Sequence, residues 1–179
     1  GLMVVAKNNK CHELLAEAFK NKTINRYYTA LVIGELDTES GIIDAPIGRD
    51  PNERKRYTVT KQNSKTAITH FNVIKRYKGY TLLNLKLDTG RTHQIRVHLS
   101  SINRHILGDV LYGFKGSCDI IRVFLHGYIL ELKHPRTGQM MSFCAPLEDD
   151  FAALIGVDTR TLNEKLTKNF VLSCFEPIN

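Results

Sequence analysis

The feature that most constrains the fold is a strand pattern that runs directly into a short basic motif. In Tyr80–Asp88, leucines alternate with polar residues, which is typical of a half-buried β-strand. The motif Thr89–Leu99 follows at once and carries two arginines, two histidines and a glutamine. Gly90 can supply the turn, because glycine accepts a positive φ without steric cost. The pattern predicts a strand-to-helix junction that holds Arg91 firmly at the edge of a cleft.

The second half of this motif predicts an amphipathic helix. Thr92 is a candidate N-cap, since its hydroxyl can accept a hydrogen bond from an unpaired amide of the first turn. Ile95, Leu99 and Ile102 follow at i, i+4 and i+7, which places them on one apolar face. The helix N-terminus beside Arg91 favours an anion such as phosphate. The alternative is a basic helix start on a solvated surface.

The positive charge of the chain is concentrated in the segment that contains the motif. The formal net charge is +7, yet residues 1–115 carry 19 Lys and Arg against 10 Asp and Glu, whereas residues 116–179 carry 6 against 8. A one-sided positive field attracts polyanions, of which nucleic acid is the commonest. Ordinary basic proteins share this imbalance, so charge alone leaves the partner open.

The remaining composition excludes several classes of protein. A chain of 179 residues with 42% hydrophobic content is sufficient for one domain with a proper core. No apolar run approaches the length of a membrane span, and no signal-peptide pattern is present. We therefore expect no membrane partner. The cysteines form no C-x-x-C pair, so we also expect no metal ion and no disulfides, which fits a cytoplasmic protein. These cysteines are Cys11, Cys118, Cys144 and Cys174.

Strand patterns joined by turns, with few helices between them, predict an α+β fold: a mainly antiparallel mixed sheet flanked by a few helices. Gly1–Lys7 has the pattern of a buried strand with no lead-in, as in a chain cut inside a domain. A helix over Cys11–Asn21 follows. The other predicted strands and the predicted helix near the C-terminus are Arg26–Ile33, Tyr57–Thr60, Thr66–Tyr77, Arg122–Lys133, Gln139–Cys144 and Asp150–Ile155.

The loop Gly48–Arg56 is strongly basic and contains proline and asparagine as turn formers. One interpretation is a finger that contacts phosphate groups, since a basic loop on a basic protein readily contacts a nucleic-acid backbone. The alternative is a charged loop that only contacts solvent.

The motif Thr89–Leu99 and the glycine-punctuated run Ile106–Gly113 together resemble the signature of RluA-type pseudouridine synthases. Several ordered segments at suitable spacings are far more specific than any one alone, and the resemblance covers roughly residues 1–150. The other segments that carry it are Leu2–Asn8, Arg26–Val32, Pro46–Pro51, Leu125–Gly127 and His134–Pro135.

The resemblance implies isomerisation of uridine in RNA, with large-subunit ribosomal RNA as the expected partner and no cofactor or metal. The bond from ribose to uracil N1 breaks, the base turns, and it is rejoined through C5. The family's nucleophile is an aspartate in the motif H-R-L-D-x-x-T-S-G, whose last glycine matches Gly1. We therefore expect the aspartate upstream of Gly1 and expect residues 1–179 alone to be inactive. Asp88 and Asp109 do not occupy its position and are expected to cap turns or to hold the geometry between sheet and loop.

The resemblance also assigns roles to five residues. Arg91 is the cation that pairs with the aspartate, and a cation within about 4–6 Å lowers the pKa of a carboxyl group. Tyr28 can stack on uracil and assist proton transfer, or it can be a strand tyrosine packed on the core. Ile95 is expected to form the apolar surface under the base, or to serve ordinary helix packing. His93 and Gln94 are expected to contact the substrate.

The target uridine must leave its stack, so base flipping is expected. We expect a catalytic domain over residues 1–158 and a tail over residues 159–179 that forms a short helix packed on it. The alternative function is a non-catalytic RNA-binding module of the same fold, and a structural protein without RNA affinity is a third. The oligomeric state stays open. The residues expected to hold RNA are Arg49, Arg54, Lys55, Arg56 and Arg96.

Overall fold

The computed structural model describes residues 1–116, 120 and 122–176, and these form an α+β fold, as predicted. Cys118 lies outside the described residues. The helices are Asn9–Lys20 (α1), Gln94–Ser101 (α2), Asp149–Leu154 (α3), Thr159–Lys165 (α4) and Lys168–Ser173 (α5). The strands are Asn25–Ile33 (β1), Ser40–Asp44 (β2), Ile47–Arg49 (β3), Tyr57–Val59 (β4), Ser64–Lys65 (β5), Ile68–Tyr77 (β6), Tyr80–Leu87 (β7), Leu125–Lys133 (β8) and Met140–Cys144 (β9).

The described residues divide into two compact units. The first unit consists of residues 1–28 and the described part of 126–179, and the second of the described residues between 29 and 125. β1 begins in the first unit and continues in the second. The predicted boundary at residue 158 stays a prediction.

The second unit is built on the strand that the sequence pattern identified most clearly. β7 pairs antiparallel with β6, which pairs antiparallel with β2, and Phe71 lies opposite Leu85 in the buried register. The prediction of a half-buried strand is wrong in one respect. Asn84 and Thr81 are 0% exposed, like the leucines beside them, so both faces of β7 are covered. β3, β4 and β5 form a separate three-stranded antiparallel sheet.

In the first unit, β8 pairs antiparallel with β9, and the N-terminal segment is extended but forms no strand. The prediction of a buried strand there is wrong, because Met3 is 83% and Val5 73% exposed. The Leu2 amide donates to the Gly127 carbonyl at 2.8 Å, which holds the segment at its start. Leu2, Val4 and Ala6, which alternate with the exposed residues, pack against a core cluster of Leu15, Ile24, Leu130 and Leu132.

The tail forms two short helices rather than the one predicted. The Asp158 carboxylate accepts a hydrogen bond from the Thr161 amide at 2.8 Å and begins α4. The Thr167 hydroxyl accepts from the Phe170 amide at 3.2 Å and begins α5. This second cap starts a separate helix after Leu166. Leu162, Leu166 and Val171 are the buried residues of these helices and their junction.

Two glycines of the second unit both have a positive φ, but only one of them has no room for a side chain. Comparing them distinguishes the free-energy cost of the backbone conformation from that of a close contact. Gly79 (φ +84°) has open space where a Cβ would lie, whereas a Cβ on Gly108 (φ +79°) would lie 1.9 Å from the Arg122 carbonyl oxygen. We predict that Gly79→Ala lowers the free energy of unfolding by about 1 kcal/mol and Gly108→Ala by about 2–5 kcal/mol. Urea denaturation measures both, and equal losses would contradict the prediction.

Candidate active site

The basic motif forms a tight turn and then helix α2, but its cap differs from the predicted one. The helix begins at Gln94, and the residue before it, His93, has a left-handed backbone with φ 56° and ψ 20°. Thr92 is therefore not the N-cap, and His93 makes no capping hydrogen bond through its side chain. The Gln94 amide closes the turn by donating to the Arg91 carbonyl at 3.1 Å. The predicted cap fails because the chain turns one residue later.

The apolar face of α2 is shorter than the sequence predicts. Ile95 and Leu99 are buried, but Ile102 follows the last helical residue and is 38% exposed. Ile95 is 4% exposed and thus serves the packing of the second unit. Its contact with a base stays a prediction.

Gln94 is buried, and groups of the second unit occupy every hydrogen-bonding site of its side-chain amide. Its Oε1 accepts from the Thr89 hydroxyl at 2.8 Å and from the Arg91 amide at 3.0 Å. Its Nε2 donates to the Ile68 carbonyl at 2.9 Å and to the Thr69 hydroxyl at 3.0 Å. Two lone pairs and two hydrogens are all that a primary amide offers. The predicted substrate contact of Gln94 therefore has no free polar site to use in this conformation.

The hydrogen bonds continue from Thr69 to a buried histidine. The Thr69 hydroxyl lies 2.9 Å from His98 Nδ1, and His98 Nε2 lies 2.9 Å from the Ala45 carbonyl oxygen. A carbonyl can only accept, so Nε2 carries the hydrogen and donates it. Burial lowers the pKa of His98, although the Ala45 carbonyl and the charge of Asp44 oppose this shift. His98 is thus held neutral.

Arg91 lies on the surface of the second unit with one anchored nitrogen. Its Nε donates to the Thr66 carbonyl at 2.9 Å, and its side chain is exposed. Within residues 1–116, 120 and 122–176, no carboxylate forms an ion pair with its guanidinium. Its terminal nitrogens can therefore pair with an anion, as the prediction for Arg91 requires.

The other arginine of the motif is already paired. Arg96 forms a bidentate contact with Asp109, with Nε to Oδ2 at 2.8 Å and Nη2 to Oδ1 at 2.7 Å. The Asp109 side chain is 1% exposed, and its hydrogen bond raises the pKa of Arg96. Asp109 also accepts from the Tyr112 amide at 3.3 Å, which confirms that it caps a turn. Arg96 is committed to this ion pair, so its predicted contact with RNA would need to break or share it.

Tyr112 is the centre of an aromatic and cationic cluster that sequence reasoning missed. Its hydroxyl accepts from the Tyr57 amide at 3.0 Å and lies 2.9 Å from His93 Nδ1. The guanidinium of Arg96 lies 4.8 Å and that of Arg56 5.5 Å from the centre of its ring. Burial, followed by the nearby charge of Arg96, lowers the pKa of His93. In the sequence, the available signal for this cluster was the tyrosine three residues after Asp109 in Ile106–Gly113. The residues that Tyr112 contacts are distant in sequence, so the signal did not identify them.

The basic loop after β3 is ordered by its own hydrogen bonds. The Asp50 carboxylate accepts from the Asn52 amide at 2.9 Å and from the Glu53 amide at 3.2 Å. Arg49 Nη1 donates to the Arg54 carbonyl at 3.2 Å. These contacts leave several cations at the surface for a polyanion. Arg49, Arg54 and Lys55 are exposed and Arg56 is half-buried.

Tyr28, the remaining predicted site residue, belongs to the first unit. It is half-buried and lines a cavity of about 170 Å³ together with Arg26 and Gly127. A Cβ on Gly127 would make an ordinary contact with Tyr28 Cε1 at 3.6 Å, but it would lie 2.9 Å from the Leu2 carbonyl oxygen, so the glycine permits the close approach of the N-terminal segment. Its pairing with Arg91 in one site stays a prediction.

Within the described part of the chain, no three His, Cys, Asp or Glu side chains lie close enough together to hold a metal ion. Among the same residues, no helix is both long and apolar enough to cross a membrane.

Comparison with known proteins identifies the class to which this fold and motif belong. Residues 1–101, which include Tyr28 and Arg91, match the family model described as RNA pseudouridylate synthase. The chain therefore belongs to the RNA pseudouridylate synthase family, and the predicted resemblance is confirmed.

Two curated relatives are similar over most of this chain. An uncharacterised RNA pseudouridine synthase of Bacillus subtilis is 47% identical over 155 residues, which cover 87% of this chain and 51% of that protein. The ribosomal large subunit pseudouridine synthase D of Nitrosomonas europaea is 45% identical over 163 residues, which cover 87% of this chain and 47% of that protein. The chain thus spans about half the length of these relatives.

A solved structure agrees with the fold. Human RNA Pseudouridylate Synthase Domain Containing 1 is 26% identical and has a TM-score of 0.68, with 80% of this chain and 62% of that chain covered. This likeness confirms the α+β architecture with a largely antiparallel sheet.

The Arg96–Asp109 pair gives a prediction about stability. We predict that Asp109→Asn lowers the free energy of unfolding by about 2–4 kcal/mol, because removing one charge leaves the largely buried Arg96 uncompensated. The control is Glu39→Gln, which removes the exposed partner of Arg76 (Glu39 side chain 77% exposed) and should cost about 0–1 kcal/mol. Urea denaturation near pH 7 compares them, and similar losses would show that burial is not decisive.

His98 gives a prediction about pH. Its pKa is lowered in the folded protein, so the unfolded chain binds more protons below the ordinary value of 6.5. Stability is therefore full above that pH and falls as the pH drops from it toward the folded-state pKa. We predict that His98→Gln, which can still donate to Ala45, loses less stability than the wild type between pH 7.5 and pH 5 by roughly up to one kcal/mol. His93 supplies part of the slope that remains, and identical slopes for the two proteins would contradict the assignment.

Proposed function

We propose that this chain is part of an enzyme that isomerises uridine to pseudouridine in RNA, with ribosomal RNA as the substrate. The observation that carries the proposal is the family match over residues 1–101, which contain Arg91, an exposed arginine anchored through its backbone amide and Nε. One similar protein is named for the large ribosomal subunit, which supports the choice of RNA.

The chemistry defines what the residues must do. The N1–C1′ bond of uridine breaks, a C5–C1′ bond forms, and the C5 hydrogen leaves as a proton while N1 gains one. In this proposal the guanidinium of Arg91 keeps a nucleophilic carboxylate ionised, because a nearby cation lowers the pKa of a carboxyl group. The ring of Tyr28 stacks on the base and its hydroxyl assists a proton transfer. The reaction uses no metal and no cofactor.

The carboxylate itself is proposed to come from outside residues 1–179, because the H-R-L-D motif is not in this sequence. The target uridine is proposed to leave its stack before it reacts, at a cost of a few kcal/mol. Exposed cations of the basic loop bind the surrounding RNA backbone, which makes affinity depend on salt.

The activity test compares two proteins on RNA that carries tritium at uridine C5. Residues 1–179 alone are expected to release no tritium, and the longer natural chain that includes the aspartate is expected to release it. Arg91→Ala in the longer chain should reduce release by about 100-fold or more, since it removes a charge-assisted contact in the reacting site. Release by residues 1–179 alone would overturn the proposed source of the carboxylate. RNA binding without release by either protein would favour the non-catalytic module.

The basic loop gives a prediction about binding. We predict that Arg54→Ala weakens binding of a short single-stranded RNA several-fold and lowers the slope of log K against log salt by about 0.7. The matched control is Arg160→Ala, which removes the same charge from a side chain 88% exposed on α4. Fluorescence polarisation over a salt series measures both slopes. Equal effects of the two substitutions would show that net charge, and not this loop, governs binding.

A further inference from the structure

We infer that Gln94 is a positioning residue whose buried amide fixes the place of Arg91, and that it does not contact the substrate. The inference rests on the proposed function only in taking Arg91 as a catalytic residue. Gln94 is 2% exposed, and each of its hydrogen-bonding sites is occupied by a group of the second unit. A group that is inaccessible and saturated acts through its neighbours.

The direction of every hydrogen bond around this amide is determined. The Thr89 hydroxyl accepts from the Ile68 amide at 2.9 Å, so its own hydrogen is available for Gln94 Oε1. The Thr69 hydroxyl accepts from Gln94 Nε2, so its hydrogen goes to His98 Nδ1. His98 then donates from Nε2 to the Ala45 carbonyl. Exchanging the oxygen and nitrogen of the Gln94 amide would set donor against donor and acceptor against acceptor along this chain.

Two hydrogen bonds hold Arg91, one through its backbone and one through its side chain. Its amide donates to Gln94 Oε1, and its Nε donates to the Thr66 carbonyl. Gln94 Nε2 in turn holds the Ile68 carbonyl, two residues from Thr66. The same short segment therefore anchors the backbone of Arg91 through Gln94 and its side chain directly.

This arrangement serves preorganisation. A free arginine side chain loses about 2 kcal/mol of rotamer freedom when it is fixed, and an Nε already bonded leaves fewer torsions to fix when an anion arrives. The turn also includes His93 in the left-handed region, a conformation of roughly 1–2 kcal/mol cost in a residue other than glycine, which persists where surrounding contacts determine it. The side-chain amide of Gln94 supplies such a contact across His93, because Gln94 follows His93 and accepts from the amide of Arg91, which precedes it.

The first arm of the test uses the protein without RNA. The variants are Gln94→Met, which removes all four hydrogen bonds, and Gln94→Glu, which keeps the acceptor for Arg91 but places a carboxylate oxygen against the Ile68 carbonyl. The control is Gln62→Met at an exposed glutamine of the same unit. The readout is the NMR signal of the Arg91 amide and of its Nε–H.

Gln94→Met is expected to shift both signals at every pH. Gln94→Glu is expected to shift them at pH 8 and to return them toward the wild-type positions as the pH falls to about 5.5, because a protonated carboxyl group can donate to Ile68 as the amide does. This acid rescue also keeps the test open where Gln94→Met does not fold. Arg91 signals unchanged in folded Gln94→Met, or unrescued in Gln94→Glu, would overturn the inference.

The second arm is a double-mutant cycle on tritium release by the longer chain that includes the aspartate. Arg91→Ala is expected to reduce release by about 100-fold and Gln94→Met by about tenfold, because a misplaced guanidinium supports the carboxylate less well than a fixed one. In the Arg91→Ala background, Gln94→Met is expected to add less than about twofold. Equal effects in both backgrounds would show a general structural role and overturn the positioning role. Release that is indifferent to Arg91→Ala would count against the proposed role of Arg91, while the RNA-free spectra still decide whether Gln94 fixes it.

Discussion

The structure of the second unit depends on how the turn at the start of α2 satisfies its polar groups. A helix start leaves amides without partners, and the residue before this helix supplies no capping side chain. The side-chain amide of Gln94 instead holds the turn that precedes the helix, because it pairs with the Arg91 amide and with the first residues of β6. Because an unmade hydrogen bond of a buried group costs about 1–3 kcal/mol, this single amide ties the strand, turn and helix into one arrangement.

The basic residues of the same region fall into two groups. Some are buried or half-buried and either paired or uncharged, and the others face solvent. Arg96 stacks over Tyr112 and is neutralised by a carboxylate with 1% exposure. His93 and His98 have lowered pKa values, for which burial is the largest cause, so neither adds a cation near neutral pH. The charges that face solvent include those of Arg49, Arg54 and Lys55 in the basic loop and that of Arg91. A surface of this kind attracts a polyanion while its core stays electrically balanced.

The sequence predicted those features that depend on local periodicity, and it missed those that depend on partners far away in the chain. β7 was found because the strict alternation over the six residues Leu83–Asp88 is typical of a strand. Its polar residue Asn84 was expected at the surface, since a one-sided pattern cannot show that both faces are covered. Thr92 had the right chemistry for a cap, but the turn is held by the side-chain amide of Gln94, which accepts from the Arg91 amide and donates to residues 25 and 26 positions away. Hydrogen bonds between residues so far apart in the chain depend on the whole fold, so a short stretch of sequence does not predict them.

The two arginines of the motif show why residue type alone did not define the site. Both lie within six residues, both carry the same charge, and both were predicted to have functional roles. Arg96 turns toward Asp109, whose carboxylate accepts from both Nε and Nη2, so its positive charge is neutralised within the fold. The side chain of Arg91 is held at Nε by a neutral carbonyl, which leaves its charge uncompensated within the described residues. A charge that is anchored but not neutralised is the arrangement a reacting carboxylate requires, because the cation must be in place before the anion arrives and must not already belong to another.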